Sequence, residues 1–149
     1  MRSIAAITGC SLSALLGAFW IFVALAKAWD LLVPAYGAAE SWADRFSPLT
    51  IGVVVLAELY LGILLSFRPG WRPISGALCL LCLFVAALLV WPIEPQQSCG
   101  CAGNAGAAIG LDEVPPLIRI AFLASLHVIA LALLAPARHS AVKAQPRPV

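Results

Sequence analysis

The stretch LTIGVVVLAELYLGILLSF, Leu49 to Phe67, contains one charged residue, Glu58. Roughly 20 apolar residues are enough to carry a helix across the hydrocarbon of a bilayer, and this segment meets that length. Working outward, three more stretches do so: about Ile4 to Lys27, about Ile74 to Trp91 and about Leu117 to Ala135. None of the four is interrupted by proline. Pro34, Pro48, Pro69, Pro73, Pro92, Pro95, Pro115, Pro116 and Pro136 fall at or between segment ends, where helices stop and start. Trp29, Trp71 and Trp91 sit at those ends, as residues of a headgroup belt do.

Composition agrees. Of 149 residues, 62% are apolar and 11% charged, whereas a soluble domain carries about 25% charged residues. Such a chain cannot cover itself with a water-facing surface. The expected fold is an all-α integral membrane protein, a four-transmembrane-helix bundle over residues 1–136. There is no internal repeat and no soluble domain. The basic, proline-containing stretch 137–149 is expected to be a disordered tail. The sequence Ile7-Thr8-Gly9-Cys10 is similar to a lipoprotein processing site, yet the residues before it are too few for a charged region plus an apolar core, so cleavage is not expected.

Basic residues set the orientation. Arg2 precedes the first helix, Arg68 and Arg72 fill the second loop, and Arg138, Lys143 and Arg147 lie in the tail. The third loop, from Pro92 to Pro116, has none. By the positive-inside rule both termini are cytoplasmic, and the first and third loops face outward. In a Gram-negative bacterium the chain would be a multi-pass inner-membrane protein with those loops in the periplasm. Lys27, Arg45 and Arg119 are the basic residues on or near the outer side.

The third loop carries QSCGCAGNAG, residues 97–106. A disulfide needs Cα atoms about 4.4–6.8 Å apart, which positions i and i+2 reach only with an unusual backbone. Gly100 supplies that freedom between Cys99 and Cys101. A strained, exposed disulfide exchanges readily, and an oxidising compartment lets it form. Redox exchange is therefore the first reading of Cys99 and Cys101. An inert local disulfide and a soft-metal pair for Cu(I) or Hg(II) are the alternatives. Zinc is poorly served, because it wants four ligands and the loop holds no histidine. No motif calls for a cofactor.

Cys79 and Cys82, three apart in the third helix, share a face. They read as small buried hydrophobes ahead of a second dithiol, and so does Cys10. The intramembrane charges are more telling, since an ionisable group at that depth is a functional-site hypothesis by default. Glu58 lies near the centre of the second helix, Lys27 ends the first, Asp30 follows it, and Arg119 enters the fourth. These predict a Lys27–Glu58–Arg119 cluster, with Asp30 as a fourth member. It would act either as an ion-pair lock on helix register or as a positive floor that favours a thiolate in the loop above. His127 is expected to pack or bond across helices, and Ala24, Gly52, Gly62 and Gly76 to mark close helix contacts. The first outer loop, DLLVPAYGAAESWADRFS, mixes aromatic and acidic residues and is expected to lie along the membrane surface.

Four elements in order, ALAKAWD closing the first helix, AELYLG in the second, CGCAG in the third loop and an arginine early in the fourth helix, give the chain a family likeness. It resembles the MauE family of methylamine-utilisation membrane proteins, within the wider DoxX-like group of four-helix membrane proteins. That resemblance implies a role in maturing periplasmic enzymes that need correct disulfides, beside a thioredoxin-like partner. It implies Cys99 and Cys101 as the redox pair and Lys27, Glu58 and Arg119 as the polar positions. Ala102 and Ile120 stand where the family often has an aromatic residue and an asparagine. The expected function is thus support of thiol–disulfide exchange and maturation of a client enzyme. The alternatives are a non-catalytic scaffold subunit of a larger membrane complex and a soft-metal carrier. Lipid is an expected partner, and nucleic acid is not.

Overall fold

The computed structural model describes residues 4–32, 46–90 and 114–143, and among them every regular element is helical. The four helices are α1 (Ile4–Leu32), α2 (Pro48–Phe67), α3 (Trp71–Val90) and α4 (Pro116–Lys143). Each contains a segment long and apolar enough to cross a membrane.

Local chemistry explains the boundaries. Pro48 opens α2, where its missing N–H would have had no partner anyway. The Ser47 hydroxyl caps the same end by accepting from the Thr50 N–H at 3.2 Å. The Arg68 N–H donates to the Leu64 carbonyl at 2.8 Å and closes the far end, after which Pro69 and Gly70 break the chain direction. Pro73 falls in the first turn of α3, again where no intrahelical donor is lost.

The third helix starts three residues before Ile74, at Trp71, and two boundaries differ further from expectation. The first helix runs five residues beyond Lys27, giving 29 residues, or about 44 Å at 1.5 Å per residue. The fourth passes through Pro136 and ends at Lys143, so the first part of the expected disordered tail is helical. Proline weakens a helix interior, but Ala135, Ala137 and Ala141 around it are the strongest helix formers. Residues 144–149 lie outside the described residues, as does most of the first outer loop.

Inside the bundle α1 is central and packs closely against both α2 and α4. Leu16, Trp20, Leu65, Ile74, Leu81 and Ala130 form the core. Large apolar side chains such as Leu25, Tyr60, Leu89 and Phe122 face outward. In water that would be a fault; in lipid it is the matching surface. Because lipid gives apolar faces no reason to associate, close backbone approach and polar contacts must hold the helices. A Cβ on Gly17 would sit 2.6 Å from the Gly62 carbonyl oxygen and 2.3 Å from Ser66 Oγ, so α1 and α2 cross in backbone contact. Gly62 and Gly76 are close contacts as expected, and Ala24 is fully buried. Gly52 is not a close contact, for nothing lies within 4 Å of its missing Cβ. Gly17, rather than Gly52, is the partner of this crossing.

Candidate functional site

Lys27 reaches across from α1 to α2 and donates from Nζ to Glu58 Oε1 as a buried ion pair. Glu58 is fully buried and Lys27 nearly so, at 8% exposure. The Lys27 ammonium also stands 5.0 Å from the centroid of the Phe84 ring on α3, close enough for a cation–π attraction. Three helices thus meet at one charge. The other carboxylate oxygen, Glu58 Oε2, is buried and makes no hydrogen bond.

A cavity of about 390 Å³ opens between α1 and α4. Its polar lining comes from Glu58 on α2 and Arg119 on α4, and most of the remainder is aliphatic or aromatic. The structure therefore brings Lys27 and Glu58 into contact and sets Arg119 on the same cavity as Glu58. Asp30, half-buried one turn further along α1, does not line that cavity.

A second polar contact lies deeper. Trp20 donates from Nε1 to His127 Nε2 at 3.0 Å, with the rings edge-on at 72° and 6.1 Å between centroids. His127 Nδ1 lies 2.7 Å from the Leu123 carbonyl oxygen. A carbonyl can only accept, so Nδ1 carries the proton and Nε2 is the acceptor for the indole. Both ring nitrogens are committed, and His127 bonds across helices. Ser13 Oγ donates to the Leu65 carbonyl at 3.0 Å, adding a second buried polar tie between α1 and α2. Nothing in the sequence pattern singled out Trp20, Ser13 or Gly17. The only signal was their recurrence at intervals of three or four along α1, the spacing of one helix face.

Cys79 and Cys82 are exposed on the outside of the bundle, and Cys10 is half-buried; all three are free thiols. The first two are therefore not the buried hydrophobes that the sequence led us to expect. Cys99 and Cys101 lie outside the described residues, in the segment that joins the C-terminus of α3 to the N-terminus of α4. Arg119 stands in the first turn after that segment. Among the described residues no three His, Cys, Asp or Glu side chains gather as a metal site.

The family model for methylamine utilisation protein MauE matches residues 1–136. The chain belongs to the MauE family. The matched span includes all of α1, α2 and α3, the apolar part of α4, and the positions of Lys27, Glu58, Cys99, Cys101 and Arg119. No curated protein and no solved structure matches the chain. This MauE protein is thus a multi-pass membrane protein whose four apolar helices surround a buried ion pair.

Proposed function

We propose that this MauE protein supports thiol–disulfide exchange on the outer face of a bacterial inner membrane, with Cys99 and Cys101 as the exchanging pair. A partner disulfide is attacked by the thiolate of one cysteine, forming a mixed disulfide and releasing one partner thiolate. The second cysteine then attacks the bonded sulfur, frees the partner as a dithiol and leaves Cys99–Cys101 as a disulfide; the reverse sequence oxidises the partner. Electrons and protons balance within the two pairs. The partner is a thioredoxin-like protein that passes the change to a periplasmic client enzyme.

The observation that carries this reading is the Cys-Gly-Cys loop of a MauE chain. It is supported by the buried Lys27–Glu58 pair and Arg119, which fall in the part of the bundle that adjoins the two ends of the cysteine segment. Distribution of Lys and Arg supports an outward-facing loop. A soft-metal carrier would need thiols leading inward. Cys79 and Cys82 point away from the bundle interior, so among the described residues that relay is missing.

Trapping tests the proposal. With Cys101→Ser, the remaining Cys99 should hold a mixed disulfide with its partner, seen as a reducible adduct after rapid thiol alkylation of intact cells. If neither Cys99→Ser nor Cys101→Ser captures any partner and client maturation continues, the proposal fails.

A further inference from the structure

The cavity between α1 and α4 has the anatomy of a binding site for something dissolved in the membrane. Its volume, about 390 Å³, lies within the 300–1,000 Å³ range of small-molecule sites. Leu15 and Phe122 belong to its wall and are also 69% and 64% exposed on the outside of the bundle. The opening therefore faces lipid. Along α1 the wall runs from Leu12 to Val23, about 16 Å at the helical rise. That is long and narrow, the shape of an alkyl chain.

One end differs. Glu58 lines the cavity there, fully buried, with Oε2 unsatisfied. An unmet acceptor in hydrocarbon costs free energy until a donor reaches it. Water has no ready route from the bilayer side. A ligand that supplies a hydroxyl would satisfy the oxygen. An ionised carboxylate or phosphate head has no hydrogen to donate and would leave Oε2 unsatisfied. The wall also carries Phe19, Trp20, Phe84 and Phe122, so a ring can meet other rings edge-on or offset, as aromatic pairs prefer.

We propose that this cavity binds a phenolic amphiphile of the hydroquinone class taken from the bilayer. Its ring hydroxyl donates to Glu58 Oε2, and its alkyl chain lies in the groove between α1 and α4. Binding needs neither Cys99 nor Cys101, so the inference stands apart from the thiol-exchange reading.

The test uses the full chain in phosphatidylcholine nanodiscs with tritiated 2-decylhydroquinone, corrected for uptake by empty nanodiscs. Saturable binding of one molecule per chain is expected. Decylbenzene, which lacks the hydroxyls, and monodecanoylglycerol, which has hydroxyls but no ring, should not displace it at matched concentration. Glu58→Gln should weaken binding about tenfold or more, because a neutral amide replaces the charged acceptor. Leu15→Trp, at a lipid-facing position that leaves the ion pair intact, should abolish it by filling the mouth. Cys99→Ser/Cys101→Ser should bind as the parent does. The proposal is overturned by no saturable binding, by equal binding in Leu15→Trp or in Glu58→Gln, by equal competition from either control amphiphile, or by loss of binding in Cys99→Ser/Cys101→Ser.

Discussion

Lys27 and Glu58 neutralise each other inside the bundle, where Glu58 is fully buried and Lys27 nearly so. Neither side chain has water to fall back on. Their pairing fixes the rotation of α1 against α2, because slipping either helix by one residue would turn a charge toward lipid.

Removing one member strands the other. Lys27→Met or Glu58→Leu alone should destabilise the protein by about 3–5 kcal/mol, whereas the double replacement should recover most of that loss. Thermal unfolding of the single and double variants in one detergent gives the coupling directly. A loss in the double variant equal to the sum of the two single losses would show that the pair is not coupled.

Gly17 should tolerate no side chain. Even Ala places a carbon 2.3 Å from Ser66 Oγ and 2.6 Å from a backbone oxygen of α2, and the helices must part to admit it. An overpacking loss of about 1–3 kcal/mol is expected for Gly17→Ala, and more for Gly17→Val. Gly52→Ala, with open space around it, should be neutral or mildly stabilising by helix propensity. The two melting temperatures should move in opposite directions or differ by several degrees.

The indole–imidazole bond has a smaller effect. Trp20→Phe keeps most of the ring but leaves His127 Nε2 without its donor, and bonds of this kind within membranes average about 0.6 kcal/mol with a maximum near 1.7. Ser13→Ala, which loses its bond to Leu65, belongs in the same range. Chemical denaturation in mixed micelles would resolve both. A loss above 3 kcal/mol in Ser13→Ala would mean that the contact does more than tie two helices.

Cys79 and Cys82 face away from the core. Cys79→Ala/Cys82→Ala should therefore change stability by less than about 0.5 kcal/mol, as surface replacements do. It should also leave partner capture by Cys99 undiminished. Reduced capture in that variant would restore the second-dithiol reading.

Much of the fold was legible because lipid imposes its own length. Leu49–Phe67 could be read as a spanning helix from its run of apolar residues, and the helix at Pro48–Phe67 begins one residue earlier. Glu58 stood out for its cost at that depth, and Lys27 for lying close enough in sequence order to meet it. The end of α4 was misread, since Pro136 is a strong local stop signal that flanking alanines outweigh. Gly52 and Gly17 look alike in the chain, and only the direction each faces separates them. Composition and spacing thus determined that four helices cross, roughly where, and which charges needed partners. The tertiary structure decided that Lys27 takes one oxygen of Glu58 while the other stays open beside an apolar cavity, that Trp20 meets His127, and that Cys79 and Cys82 look outward. The physical reason is that hydrophobicity selects the medium for a helix but not its rotation: in lipid every apolar face is equally content, so rotation is set by a few close backbone contacts and polar bonds between residues far apart in sequence.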